Sequence, residues 1–158
     1  MTEALKTAMT TSISEVLETM FFMTIDLNEN ATADELLKDR GTPPIISRIG
    51  FRGKLTGFFI FMVPENILNT MTETFMGLDV DAVTETHLQG TVLEAINMIA
   101  GNTFSNLDDQ AVFDLDIPEL IDMNTAMASC PENAPEGYFL LVETFAGKLG
   151  LKVCFRSE

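Results

Sequence analysis

The sequence has few of the residue types from which many active sites are built. It has one histidine, His87, and two cysteines, Cys130 and Cys154, and none of these has the spacing of a zinc site. Catalysis by histidine would depend on His87 alone, and its place at a helix start predicts a surface residue instead. No glycine-rich phosphate loop of the Walker or dinucleotide-binding type is present. The sequence therefore offers no support for a zinc enzyme or a nucleotide-binding enzyme.

Basic residues are also scarce. Lys and Arg total 9 against 24 Asp and Glu, so the formal net charge is −15. Binding to phosphate backbones needs clustered cations, and we therefore expect no nucleic-acid partner. An acidic surface attracts a protein that carries positive charge around its docking face.

Long apolar runs are missing as well. No segment approaches eighteen consecutive apolar residues, and the N-terminus lacks the basic and apolar blocks of a secretory signal. We therefore expect no membrane span, a cytoplasmic location and reduced thiols at both cysteines. The length of 158 residues fits one domain, 1–158, with a sizeable core.

Two groups of acidic residues were candidates for metal binding, and neither pattern supports a site. The first alternates like a calcium loop, but Ala31 stands where the turn needs glycine and Leu37 where a bidentate Glu would bind. The second lies on a predicted strand, where alternating acids usually form the solvated face. We expect no metal or cofactor of the protein's own. The first group is Asp26, Asn28, Asn30, Thr32 and Asp34, and the second is Asp108, Asp109, Asp114 and Asp116.

Hydrophobic periodicity predicts an α+β fold in which long helices pack on a mostly antiparallel sheet. Turn signals at Gly53 and Gly147 each join two apolar strands into a hairpin. The segment 26–42 is polar and is predicted to be a surface excursion. Helices are predicted over 12–25, 64–77 and 84–105, with a short helical piece at 33–38; strands are predicted over 45–51, 55–63, 113–117, 138–145 and 149–155, and a loop over 122–135.

A weak internal repeat indicates two related halves. The triplet Val16–Glu18 recurs at Val92–Glu94, an offset of 92 − 16 = 76 residues. Gly-Lys-Leu also opens a strand in each half. We interpret this as two units, roughly 12–77 and 84–156, that pack about a pseudo-twofold axis. A chance match of three residues is the alternative.

The helix around 89–104 carries the pattern of greatest interest. Gly90, Glu94, Asn97 and Gly101 share the face opposite its apolar arc, at spacings of four, three and four. Each glycine inside a helix costs roughly 0.8–1 kcal/mol relative to alanine, so two on one face indicate that something approaches closely there. An incidental polar face is the open alternative. Leu93 and Phe104 flank this face on one side and Met98 flanks it on the other, and we expect these three residues to dock the partner together with Gly90 and Gly101. The apolar arc consists of Leu88, Val92, Ala95, Ile96 and Ile99.

The two polar side chains of this face suit one kind of chemistry. Asn97 cannot act as a general base, but its amide donates and accepts hydrogen bonds at once, so it can hold a water in line with a phosphorus atom. This suffices only for an electrophile that is already activated, such as an acyl phosphate neutralised by Mg²⁺. Glu94 can pair with a cation on the partner and fix its approach.

These residues resemble the signature of the CheC/CheX chemotaxis phosphatases, and they are more similar to CheX. The likeness includes Glu94-x-x-Asn97 with the following Met-Ile-Ala-Gly-Asn, and a strand that ends at Pro118. It extends to Gly-Lys-Leu-Thr-Gly from Gly53 and to the first helix, so it covers nearly the whole chain.

The resemblance implies a pseudo-symmetric α+β phosphatase that hydrolyses the aspartyl phosphate of the response regulator CheY. It implies that Asn97 positions the water, that Glu94 pairs with a lysine of the regulator, and that Mg²⁺ is bound by the receiver domain. Members of the CheC type have such a site in each half. Here Phe21 stands at the position of the amide in the first half, which predicts one site, as in CheX, and the relatives imply a homodimer.

Two departures from the family pattern leave another function open. Gly90 replaces the Asp or Ser that the family prefers, and the run from Asn97 to Pro118 is two residues shorter than usual. A non-catalytic module that binds receivers, or a part of a flagellar switch, is therefore the alternative. A structural role, with the polar face covered by a second copy, is a third. The apolar Phe21 and Phe22 are expected to be exposed at an interface.

Overall fold

The long helices cover one face of a seven-stranded sheet in the computed structural model of the chain, which describes residues 2–32, 35–36, 43–107, 112–128 and 136–157. The α+β architecture predicted from the sequence is confirmed. The helices are α1 (Thr2–Met20), α2 (Glu65–Met76), α3 (Glu85–Asn106) and α4 (Met123–Ala128), with a 3₁₀ turn at Val80–Ala82. The strands are β1 (Ile25–Asn28), β2 (Pro44–Arg52), β3 (Leu55–Pro64), β4 (Asp114–Leu115), β5 (Glu119–Ile121), β6 (Glu136–Thr144) and β7 (Gly147–Ser157).

The sheet is antiparallel throughout, and its two long hairpins meet at the centre. The strand order is β1-β6-β7-β3-β2-β4, with β5 also paired to β2. The central pair β3–β7 has Phe59 opposite Val153. At Gly57 a Cβ atom would lie 1.9 Å from the carbonyl oxygen of Cys154, so only glycine lets the two strands approach this closely. Both hairpins are confirmed at nearly the predicted bounds.

Each face of the sheet has its own apolar core. Alternate residues of β2 and β3, such as Ile49, Phe59 and Phe61, face α1, α2 and α3. The residues between them, such as Ile46 and Ile60, pack with Ala126 of α4 in a smaller cluster on the other face. The large helices therefore lie on one face, and their outer surfaces are free to carry a site.

Helices α1 and α3 lie side by side and run antiparallel. The Asn102 side chain donates to Glu15 Oε2 over 2.8 Å, and Asn106 donates to Ser12 Oγ over 3.2 Å. Moving toward the N-terminus of α3 therefore means moving toward the C-terminus of α1. This register brings the end of α1 level with the middle of α3.

Local signals account for the helix ends. At the start of α3, the Thr84 hydroxyl accepts from the His87 backbone N–H over 3.3 Å, and the Thr84 N–H donates to His87 Nδ1 over 3.1 Å. His87 therefore caps a helix, at the surface position that the sequence predicts. Gly77 ends α2 in the left-handed conformation, with φ 65°. At α4, hydrogen bonds from the Thr125 side chain and then from its backbone N–H lower the pKa of the Asp122 carboxyl.

The first helix differs most from its predicted bounds. It begins at Thr2 and ends at Met20, whereas the sequence predicted 12–25. Phe22 then adopts φ 53°, and the Met23 N–H donates to the Leu17 carbonyl oxygen over 3.0 Å. Because the chain reverses here, Phe21 enters the core and is only 2% exposed. The expected exposure of Phe21 is therefore wrong, while that of Phe22, which is 78% exposed, is confirmed.

The structure also differs from the predictions at the other edge of the sheet and at one cysteine. The strand predicted over 113–117 is limited to Asp114–Leu115, and Ile117 is 89% exposed. Part of the predicted loop 122–135 forms α4, and the helical piece predicted at 33–38 lies mostly outside the described residues. Cys154 is disulfide-bonded, so the prediction of a reduced thiol is wrong there, while Cys130 lies outside the described residues. No helix in the described part of the chain is long and apolar enough to cross a membrane.

Candidate functional site

The polar face of α3 points away from the core, as the sequence predicts. Gly90, Glu94 and Asn97 are exposed, and Gly101 is half-buried. The residues on the opposite side, among them Val92, are completely buried. A helix of 22 residues that is anchored along its whole length therefore holds this face as one rigid row.

Glu94 and Asn97 are free to bind another molecule. Within the described part of the chain, neither side chain makes a hydrogen bond or an ion pair, although both carry strong hydrogen-bonding groups. Their spacing of three residues places the carboxylate and the amide as neighbours on the helix surface. The structure thus brings together the two groups that the sequence selected as catalytic, and both are accessible.

The two glycines of this face are not required by the packing of the chain itself. A Cβ atom built at Gly90 or at Gly101 would meet nothing within 4 Å. Both residues lie inside α3, where glycine is less stable than alanine. Their effect is to keep the surface low on either side of Glu94 and Asn97, which suits a partner that approaches the helix closely.

The residues predicted for docking beside the polar face of α3 differ in how accessible they are. Phe104 packs inward: its ring stacks on Phe113 at a centroid distance of 4.2 Å and contacts Phe51 at 4.9 Å. Much of its ring is therefore unavailable to a partner. Leu93 and Met98 are half-buried against the core. Met98 also lines an open groove between α1 and α3.

This groove has a volume of about 420 Å³ and ends near the C-terminus of α1. Glu15, Thr19 and Met20 line it from α1, opposite Met98 and Asn102 of α3. The period of the predicted helix 12–25 puts Met20 on its buried arc with Val16 and Leu17, whereas Met20 is 38% exposed. The periodicity gives no sign that α1 ends at Met20, so the exposure of this residue could not be found from the sequence.

The structure adds no metal centre to this surface. Among the described residues, no group of three or more His, Cys, Asp or Glu side chains could hold a metal ion. Asp34, Leu37, Asp108 and Asp109, which belong to the two acidic patterns, lie outside those residues.

The chain is similar to proteins of bacterial chemotaxis. The family model described as chemotaxis phosphatase CheX matches residues 45–140, which is more than half of the chain. No curated protein matches the sequence.

Solved structures share the fold at low sequence identity. A CheX protein from Desulfovibrio desulfuricans has a TM-score of 0.71 at 16% identity, over 96% of this chain and 99% of its own. CheX of Borrelia burgdorferi, in a complex with CheY, BeF₃ and Mg²⁺, has a TM-score of 0.72 at 16% identity, over 96% of this chain and 97% of its own. The middle domain of FliM from Vibrio alginolyticus has a TM-score of 0.56 at 14% identity, over 99% and 92%. At these identities the structural likeness concerns the fold alone.

Proposed function

Because this chain belongs to the CheX family of chemotaxis phosphatases, we propose that it hydrolyses the aspartyl phosphate of a CheY-like receiver domain. The observation that carries the proposal is the pair Glu94 and Asn97, exposed and without hydrogen-bond partners among the described residues of α3. The complex of the Borrelia burgdorferi relative with CheY supports a receiver domain as the partner.

In the proposed mechanism, the chain supplies position and not a nucleophile. The Asn97 amide accepts a hydrogen bond from a water and directs its lone pair at the phosphorus atom. As the new P–O bond forms, the P–O bond to the receiver's aspartate breaks; the aspartate leaves as a carboxylate, and the protons of the water leave with inorganic phosphate. Glu94 forms an ion pair with a lysine of the receiver and so sets the approach of the phosphate to Asn97. The chain needs no cofactor, and the Mg²⁺ belongs to the receiver.

The test is phosphate release from each phosphorylated receiver protein of the same cell, with Asn97→Ala beside the wild type. Removing one positioned group from such a site costs about 100-fold to 1,000-fold in kcat. We expect the Asn97→Ala variant to lose turnover by this factor while it still binds the receiver in a direct titration. Wild-type turnover in this variant would overturn the assignment of Asn97.

A non-catalytic role in binding receivers is the second candidate. Gly90, which departs from the family pattern, favours it, and the fold of the FliM middle domain is related. Receiver binding without faster loss of phosphate would select this role.

Homodimer formation, which the family resemblance implies, stays a prediction. Of the two apolar residues expected at an interface, Phe21 and Phe22, only Phe22 is exposed. Sedimentation equilibrium at several protein concentrations tests it.

A further inference from the structure

The C-terminal end of α1 holds a large aromatic ring in solvent. Phe22 has φ 53°, a left-handed conformation that bulky residues rarely adopt, and it is 78% exposed. The buried residues before and after Phe22 in the chain keep its backbone in this position. Phe21 packs against Phe75 with the two rings tilted, at a centroid distance of 5.2 Å, and the buried Met23 donates its N–H to the Leu17 carbonyl oxygen. The ring is thus fixed outside the core by buried neighbours, at a cost in backbone strain.

Phe22 follows directly on the end of α1 that lies beside the candidate phosphatase face. The contacts Glu15–Asn102 and Ser12–Asn106 define how the antiparallel helices α1 and α3 align. Residues that lie opposite each other on these helices have numbers that add up to about 117–118. Met20 is therefore level with Asn97–Met98, and both methionines line the same groove. Phe22 follows two residues later.

We propose that Phe22, with Met20 and Met98, forms the apolar part of the surface on which the phosphorylated receiver docks. This inference rests on the proposed function, because it names a further binding surface for the same partner. It is favoured by continuity, since the groove adjoins the helix that carries Glu94 and Asn97. Because buried neighbours fix the backbone at Phe22, the loop does not have to be ordered when a partner binds.

The charge around this surface indicates which kind of receiver face would fit it. Glu15 lies in the groove wall and Glu94 lies on the neighbouring face, in a chain with a net charge of −15. No lysine, arginine or histidine is among the residues that line the groove. The receiver face that fits is therefore an apolar patch next to cationic side chains.

The test uses Phe22→Gly and Phe22→Asn, two variants that tolerate the left-handed conformation and remove the ring. We expect KM for the phosphorylated receiver to rise about tenfold, as for the loss of an aromatic anchor, with kcat unchanged at saturation. Phe22→Gly should keep or raise the melting temperature, because it relieves the strain. The control is Met127→Ala, since Met127 is also exposed but lies on α4 at the opposite face of the sheet. It should change neither constant.

Two results would overturn the inference. One is an unchanged KM in both Phe22 variants, and if a dimer is then also lost in sedimentation, the ring belongs to an interface with a second copy of the chain. The other is a fall in kcat at constant KM. Should Asn97→Ala retain turnover, the proposed function fails by itself. The Phe22 variants would then still be tested by their Kd for the receiver, which we expect to rise about tenfold.

Discussion

Two helices of similar form lie side by side in this molecule, and only one carries the candidate site. Both α1 and α3 are long, are anchored by the same apolar periodicity and present an exposed glutamate, Glu18 or Glu94. They differ three residues later. In α3 the helix continues, and Asn97 is exposed; in α1 the helix ends at Met20, and Phe21 enters the core. The difference shows that where a helix ends can decide whether the same spacing makes a site or a core contact.

Exchanging these two residues should produce the largest effect on stability. Phe21→Asn replaces a buried ring with a polar group and should lower the free energy of unfolding by about 4 kcal/mol. It should create no second active site, since position 21 does not lie on the outer face. The reverse exchange, Asn97→Phe, should change stability by less than about 0.5 kcal/mol, because the position is exposed. Urea unfolding measures both.

A neighbouring position provides the control for this exchange. Phe22→Asn makes the same chemical change one residue later, where the side chain is exposed and the backbone is left-handed. It should leave stability unchanged or raise it. Equal destabilisation by Phe21→Asn and Phe22→Asn would contradict the burial difference on which the comparison rests.

The comparison also shows what periodicity can and cannot predict. The apolar arc and the exposed stripe of α3 follow from the sequence, because this helix is regular over six turns and capped by Thr84. The position of Phe21 does not follow from it, because a helical wheel assumes that the helix continues. The reversal at Phe22 is a tertiary effect: the core gains Phe21, and that gain outweighs an unfavourable φ.

Edge strands were predicted less well for a related reason. Alternating residues from Phe113 to Ile117 read as a half-buried strand, but only Asp114 and Leu115 pair with β2. A β-bulge separates this pairing from the pairing of β5 with β2. The numbers of paired residues add up to 166 for Phe51 with Leu115 but to 167 for Ile46 with Ile121, so one extra residue lies between β4 and β5 opposite β2. At a sheet edge the second neighbour that would bury an alternating face is absent. The two-unit repeat stays a prediction.

Neutralising the glutamate of each helix should raise KM for the receiver on α3 but not on α1. Glu94→Gln removes the charge that is proposed to pair with the receiver and should raise KM about tenfold in low salt. Glu18→Gln, the matched change on α1, should alter KM by less than about twofold, because no amide accompanies it there. Steady-state kinetics at low and high ionic strength measures both.

The salt dependence distinguishes this effect from that of Phe22. The penalty of Glu94→Gln should shrink as salt screens the ion pair, whereas the loss of an apolar contact should persist. Equal KM increases for Glu18→Gln and Glu94→Gln would mean that the acidic surface attracts the receiver as a whole. The assignment of a specific ion pair to Glu94 would then be wrong.

Replacing the glycines of α3 with alanine should give a small change in stability, and this change should be an increase. Gly90→Ala and Gly101→Ala each add a methyl group in open space inside a helix, so each should stabilise the fold by about 1 kcal/mol. Gly77→Ala is the control: its Cβ would also meet nothing, but φ 65° makes it cost about 1 kcal/mol. A more stable protein with a KM raised severalfold would mean that the glycines serve the partner and not the fold. If stability rises while KM is unchanged, the close approach proposed for this face does not occur at the glycines. The polar face would then act through Glu94 and Asn97 alone.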